Sequence, residues 1–301
     1  MDRVRVGVLT RNPEAWCSQR LQEALTRIGA EPVCFGFRGL IARVRLGPTV
    51  STDGVDILRD LDAIVVRPIG RGSLEEIVFR MDVLYRLQRQ GLYIINRPDA
   101  IEKAVDKYRA LTILEENGVP VPRTIAAESP RNALEAFNEL GGDVIVKSIF
   151  GSRGVGMTRV NDPEVAIRVF NTLALYHHVI YIQEFIPHGA SDIRAFVLGD
   201  RVIASMRRVG GGWKTNVARG ATPTPCDLPE DYEGLAVRAA RLVGCEMAGV
   251  DILEGPDGPL VVEINSQPGW RGLQSTTKVD IAREIAGFIV GKASRLSRKE
   301  G

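Results

Sequence analysis

Gly249-Val250-Asp251-Ile252-Leu253 and Leu260-Val261-Val262-Glu263-Ile264-Asn265 decide how this chain reads. Both runs are apolar and β-rich, and Gly255-Pro256-Asp257-Gly258 between them has turn chemistry. An antiparallel hairpin that pairs Ile252 with Val262 sets Asp251 opposite Glu263. Side chains alternate along a strand, so Glu263 and Asn265 share a face, and Asp251 joins them there. Two carboxylates and an amide oxygen make an all-oxygen donor set. Such a set suits Mg²⁺ held between protein and phosphates.

A hundred residues earlier, Val144-Ile145-Val146-Lys147-Ser148 reads as a strand. Gly151-Ser152-Arg153-Gly154-Val155-Gly156 follows it. Glycine lacks a Cβ, so backbone N–H groups can approach phosphate oxygens closely. No Gly-Lys-Ser/Thr closes this loop, which excludes a Walker A motif, and its spacing is not the Rossmann fingerprint. Residues 179–186 form another apolar strand, ending in Gln183-Glu184-Phe185-Ile186 before Pro187. The end of such a strand can offer backbone groups to an adenine edge. Next come Asp192 and Arg194, a hairpin turning at Gly199-Asp200, then Arg207-Arg208 and Lys214-Thr215-Asn216.

In this order, with Lys107 ahead of it, the chain resembles the ATP-grasp carboxylate–amine ligases. The segment 262–269 followed by 276–282 is similar to their RimK-like alpha-L-glutamate ligase branch. The likeness runs from Val4 to about Ile289, and its specific motifs lie in the C-terminal half. The N-terminal third matches in organisation and in Thr10-Arg11-Asn12-Pro13 and Arg67-Pro68-Ile69-Gly70. The resemblance implies an α/β (α+β) ATP-grasp fold in three parts. Residues 1–95 would be a Rossmann-like, mostly parallel pre-ATP-grasp domain, 96–174 a central lid subdomain, and 175–301 a C-terminal subdomain with an antiparallel sheet and the metal site.

The resemblance also implies an activity, in which ATP converts a carboxylate to an acyl phosphate and an amine displaces the phosphate. That chemistry needs cations and a metal around phosphate, and no protein nucleophile. Accordingly, His177, His178 and His188 have no triad partner in the sequence. By the same matching, Lys107 and Lys147 contact ATP phosphates, and Gly151, Ser152, Gly154 and Gly156 close over them. Gln183, Glu184, Phe185 and Ile186 border the adenine, mainly through backbone groups. Asp192, Lys214, Thr215 and Asn216 meet the nucleotide, and Asp251, Glu263 and Asn265 bind Mg²⁺ (or Mn²⁺), as one ion or two. Arg208, with Lys147, serves catalysis by stabilising the transferring phosphoryl group or the tetrahedral intermediate. Strand alternation points Arg207 the other way.

Arg219, ranked first, and Arg11, Arg67 and Arg271 are candidates for substrate carboxylates, which a guanidinium fork binds well. At Trp270-Arg271-Gly272 the ribosomal-protein ligase of this branch has an acidic character instead. That departure favours an acidic small molecule, such as tetrahydromethanopterin, over a ribosomal protein. A carrier protein or a protein tail stays open as the acceptor. Trp16 and Trp213 are flat surfaces suited to a pterin-like or deazaflavin-like group. A sensor that binds ATP without ligating is the competing class, and the presence of Lys147, Asp251, Glu263 and Asn265 argues against it.

Composition sets the outer bounds. The chain has 301 residues, 45% hydrophobic and 25% charged, with net charge +2. That suits two or three small soluble domains and gives no electrostatic case for nucleic acid or membrane. Cys17, Cys34, Cys226 and Cys245 form no CxxC pair, so no zinc site is expected, and reduced thiols in a cytoplasm are. The first residues enter a strand directly, without a signal-like apolar run. The family likeness adds an expected homo-oligomer, a dimer or tetramer. Locally, the spacing predicts strands at 4–8, 32–37, 62–66 and 93–95. It predicts a helix starting at Asn12-Pro13 and another over 74–90 with Leu74, Ile77, Met81, Leu84 and Leu87 inward, and helix from 98 to 117.

Overall fold

The computed structural model describes residues 3–151, 156–217 and 220–297. Strand β1 (Arg5–Leu9) leads to helix α1 (Trp16–Arg27) and strand β2 (Glu31–Phe35). Asn12 does not cap α1: its side chain accepts from Glu14 N–H, and the helix starts at Trp16, after Ala15. A small antiparallel sheet that the sequence pattern did not announce follows, made of β3 (Ile41–Ala42), β4 (Val50–Thr52) and β5 (Val55–Asp56). These strands are too short to carry a readable alternation. After α2 (Ile57–Asp60) come β6 (Ala63–Val66), α3 (Leu74–Arg89) and β7 (Tyr93–Ile95). β1, β2, β6 and β7 form one parallel sheet in the order β2-β1-β6-β7. Ser73 and Glu76 make a capping box at the start of α3. Met81, Leu84 and Leu87 on α3 are buried, whereas Leu74, expected inward, is exposed in the first turn, ahead of the packed stretch.

The helical stretch after β7 is two helices, α4 (Pro98–Val105) and α5 (Lys107–Glu116). Asp106 divides them: it takes extended backbone angles, and its side chain caps Arg109 N–H. A second sheet combines β8 (Thr124–Ala127), β9 (Val144–Lys147), β10 (Thr158–Val160) and β11 (Ile180–Glu184) in the order β10-β9-β11-β8, all antiparallel. Helices α6 (Pro130–Glu139) and α7 (Pro163–Leu175) cover it with their own core around Phe137 and Phe170. Because β11 hydrogen-bonds into this sheet, we propose that the second subdomain extends through Glu184, past position 174.

The third sheet holds β12 (Ser191–Leu198), β13 (Arg201–Val209), β14 (Thr222–Pro225), β15 (Met247–Gly255) and β16 (Gly258–Asn265), in the order β14-β13-β12-β15-β16. One face packs on α8 (Glu230–Val243) through Ile193, Ala195, Val197, Val250 and Ile252. At one end of the other face, Phe196, Met206 and Met247 share a core with the first sheet and with α10 (Ile281–Ser297). The polar end of that face carries the candidate site. None of the described helices is long and apolar enough to cross a membrane.

Asn96 ties the first sheet to the third. It is fully buried, and its amide nitrogen donates to Met247 O and Ser266 O, both at 2.6 Å. Its oxygen accepts from Met247 N–H at 2.9 Å. Truncating it leaves three buried backbone groups unpaired, each costing about 1–3 kcal/mol. Asn96→Ala should therefore lower the thermal midpoint by several degrees. Asn96→Asp should do comparable harm despite its equal size, because a carboxylate cannot donate to two carbonyls. Thermal denaturation of both variants checks this, and an Asn96→Asp protein as stable as the parent would remove Asn96 from this role.

Candidate active site

The charged groups of the site form a stripe across the third sheet, set by strand register. Arg208 on β13 lies opposite Asp192 on β12. Arg194 on β12 lies opposite Asp251 on β15, and Asp251 lies opposite Glu263 on β16. The expected Asp251–Glu263 pairing is thus present, but Ile252 pairs with Val261 rather than Val262. A bulge next to Asp251 absorbs Val262 as the extra residue.

Burial sharpens the electrostatics. Asp251 is 3% exposed and Arg208 4%. Arg208 Nε donates to Asp192 Oδ1 at 2.6 Å, and Arg208 Nη2 reaches Asp192 Oδ2 and lies 3.1 Å from Asp251 Oδ1. Arg194 forks onto both oxygens of Asp251, with Nη2 2.8 Å from Oδ2. Burial alone would raise the Asp251 pKa, but Arg194 and Arg208 outweigh it and hold the carboxyl below its usual range. For Arg208, burial works against the charge, and Asp251 and Asp192 more than restore it. Asp192 was expected to face the nucleotide, yet its carboxylate is engaged by Arg208. Arg194 was given no role from sequence. Its signal was there: it alternates with Asp192 on one face, and Gly249 leaves room for it. A Cβ at Gly249 would stand 2.7 Å from Arg194 Nη1.

Asn265 sits beside this network. With its amide turned to satisfy both neighbours, it donates to Glu263 Oε1 at 3.3 Å and accepts from Arg194 Nη2 at 3.2 Å. Glu263 is half-buried, and no cation of the described residues makes an ion pair with it. Asp251, Glu263 and Asn265 therefore lie together, with Asp251 engaged by two arginines and the Asn265 amide oxygen facing Arg194. Among the described residues no group of three His, Cys, Asp or Glu is placed to hold a metal.

A cleft between the second and third sheets collects most of the expected residues. Its lining includes Lys147, Gln183, Glu184, Phe185, Ile186, Asp192, Arg208, Lys214, Thr215, Asn216, Asp251 and Glu263. Trp213 lines it too, with Lys214 Nζ 4.9 Å from its ring centre. Glu184 N–H and Phe185 N–H are committed to Arg123 O and Asp143 O. The Glu184 side chain pairs with Arg123. Those two backbone N–H groups are therefore not free for a ligand. Lys107 is buried and donates to Ile149 O at 3.3 Å and Gly151 O at 2.7 Å, which tethers the start of the glycine loop. Gly156 has φ 78°, as a glycine turn allows. Ser152, Gly154 and Arg219 lie outside the described residues.

The substrate arginines separate. Arg11 is exposed and lies against Gly70, and Arg271 is exposed at the start of α9 (Arg271–Gln274). Arg67 is buried at the C-terminal end of β6 and stacks 4.7 Å from the Trp270 ring centre. Trp16 packs against the first core with Arg20 over its ring, away from the cleft lining. Arg207 points to Glu254 and Ser191, opposite to Arg208, as alternation requires.

Comparison with known proteins decides the family. The RimK PreATP-grasp domain model matches residues 4–101, and the RimK-like ATP-grasp domain model matches 104–289. The chain belongs to the RimK-like ATP-grasp family. It is an ATP-dependent ligase of that family. A relative named tetrahydromethanopterin:alpha-L-glutamate ligase, from Methanosarcina acetivorans, is 32% identical over 95% of this chain and 98% of its own. A probable alpha-L-glutamate ligase from Syntrophotalea carbinolica is 34% identical over 95% of each chain. Among solved structures, the ATP-grasp ligase PsnB complexed with minimal precursor superposes with TM-score 0.77 at 23% identity, covering 97% of this chain and all of that one. A RimK domain ATP-grasp protein from Sphaerobacter thermophilus gives 0.76 at 23% identity, over 96% of this chain and all of that one. These two likenesses establish the ATP-grasp fold.

Lys147 yields a measurable signature. Burial pulls its pKa down to about 8, against the attraction of Glu263 and with added repulsion from Lys107. Between about pH 8 and the ordinary lysine value, the unfolded chain holds this proton and the folded chain does not. Folding stability should therefore rise with pH across that window, by on the order of 1 kcal/mol per unit. Lys147→Met should lose this slope. Thermal or denaturant unfolding of parent and variant from pH 7 to 10 tests it, and parallel profiles would contradict the assignment.

Proposed function

We propose that this protein joins the amino group of L-glutamate to an acceptor carboxylate, using ATP and Mg²⁺ and releasing ADP and phosphate through an acyl phosphate. The acceptor we favour is a small coenzyme carboxylate, as in tetrahydromethanopterin. One observation carries the reading: Lys147, Arg208, Asp251 and Glu263 arrive from two sheets at one cleft, with Asn265 beside Glu263 on the same strand. The relatives support the amino acid, because glutamate ligase is the name common to the archaeal and bacterial proteins that match. The acceptor rests on the two archaeal relatives.

Each residue then has a task. Asp251, Glu263 and Asn265 would hold Mg²⁺, for which their all-oxygen donors fit. The ion would neutralise phosphate charge. Lys147 places one compact cation at the phosphates. Lys107 holds the glycine loop by its carbonyls rather than reaching into the cleft itself. Arg208 stands rigid between Asp192 and Asp251, so its remaining positive field is aimed without reorganisation at developing negative charge. Ile186 N–H meets adenine, with Phe185 beside it. Arg67, Arg11, Arg219 and Arg271 are the candidates for substrate carboxylates.

Glu263→Gln is the clean probe of the metal role. Asp251→Asn also breaks the pairs with Arg194 and Arg208, so it mixes catalysis with folding. Glu263→Gln should keep the fold by circular dichroism and lower glutamate-dependent ADP formation by about a hundredfold or more. In the parent, ADP release should need both L-glutamate and tetrahydromethanopterin, and the product should gain one glutamyl mass. Formation of AMP and pyrophosphate, or full turnover by the Glu263→Gln protein at limiting Mg²⁺, would refute this reading.

A further inference from the structure

Arg67 is an uncompensated buried cation. It is 4% exposed, and among the described residues no carboxylate forms an ion pair with it. Burial depresses its pKa, and only the nearby Cys17 opposes that effect. Nη2 donates to Pro268 O at 3.0 Å, whereas Nη1 has no partner. The residues on either side of that carbonyl repeat the pattern. Gln267 Nε2 and Trp270 Nε1 are also buried without a hydrogen-bond partner, and the Trp270 ring carries the Arg67 guanidinium. Three side chains thus leave three buried donors without an acceptor, two of them on the stacked Arg67–Trp270 pair and one on Gln267, next in sequence to the Pro268 whose carbonyl Arg67 holds. Leaving a buried cation unpaired and donors orphaned is costly to the folded state. A water would accept from at most two of these donors and bring hydrogens of its own. A carboxylate accepts only, has room for about four hydrogen bonds, and cancels the charge.

Position supports a substrate. Arg67 follows β6, and its N–H bonds Leu9 O at the end of β1, so it marks the carboxyl edge of the parallel sheet. Ligands of open parallel sheets gather at that edge. Gln267 comes two residues after Asn265, the last residue of β16. We propose that Arg67, Gln267 and Trp270 form the pocket for the α-carboxylate of the incoming amino acid; this rests on the ligase reading above. The acceptor carboxylate is the poorer occupant. Once phosphorylated it keeps its negative charge only on the phosphoryl group, which leaves as the amide forms, and Arg67 would be stranded again midway through the reaction. The α-carboxylate of the amine substrate stays anionic through every step.

Gln267→Glu tests this directly, since it supplies the missing counter-charge from within. Without ligand, its thermal midpoint should rise by about 2 °C or more. By calorimetry, L-glutamate should bind the parent at least tenfold more tightly than 4-aminobutyrate, which lacks the α-carboxylate. In the Gln267→Glu protein that preference should vanish, and the KM for L-glutamate should rise at least about tenfold. Trp270→Phe keeps the ring under Arg67 and removes only the indole N–H. It should raise the same KM severalfold with no gain in stability. Unchanged L-glutamate affinity in both variants overturns the pocket, and so does a loss confined to the acceptor's KM. If L-glutamate binds the parent and is rejected by the Gln267→Glu protein, yet no acceptor is ever ligated, the pocket stands and the ligase reading falls. If ligation proceeds and Gln267→Glu is silent, the pocket alone falls.

Discussion

A charge taken out of water must be matched, and that constraint organises this protein. Asp251 and Asp192 are buried on one sheet face, where an unpaired carboxylate would cost several kcal/mol. Arg194 and Arg208 meet them at hydrogen-bond distance because strand register sets each arginine opposite its acid. The network needs three adjacent strands in a single register, so it reports on the whole third sheet. It also needs Gly249, whose missing side chain admits Arg194. Removing any one of the four leaves a buried charge behind, which typically costs about 3–5 kcal/mol. The same geometry fixes the direction of the Arg208 guanidinium.

The face carrying this network is divided along each strand. On β12, Asp192 and Arg194 give way to Phe196 and Leu198, which enter the core shared with the first sheet. One strand therefore serves chemistry at one end and anchorage at the other. Asn96 closes the anchorage from the opposite side by binding β15 and the residue after β16. The cleft lies where the second sheet approaches the polar end. Its lysine is held neutral more readily than a surface lysine, because β9 buries it beside Tyr181.

Charges that are not matched are as informative as those that are. Lys147 has Glu263 and Asp251 within its field and Lys107 against it. Arg67 has a stacked indole and one carbonyl. Folding tolerates such groups when a ligand is to complete them, and both stand beside the elements that would hold phosphate and substrate. The relatives and the fold define the class of ligase, and we assign its anions to these two cations.

The sequence by itself determined a great deal here. Alternation in 249–253 and 260–265 put Asp251, Glu263 and Asn265 on one face, because a strand repeats every two residues whatever surrounds it. The βα alternation of the first ninety-five residues announced a parallel sheet, and the same period-two rule sent Arg207 away from Arg208. What sequence could not determine depended on partners distant in the chain. The bulge at Val262, the pairing of β11 with β9, and the pairing of Arg194 with Asp251 arise from interstrand contacts. Local pattern carries no record of such contacts. The same holds for Arg67: as a loop arginine it looked like Arg11 and Arg271. Only the packing of Trp270 and Pro268, two hundred residues later, buried it without a counter-charge. Periodicity is a property of a segment and can be read there, whereas burial and charge balance belong to the assembled chain.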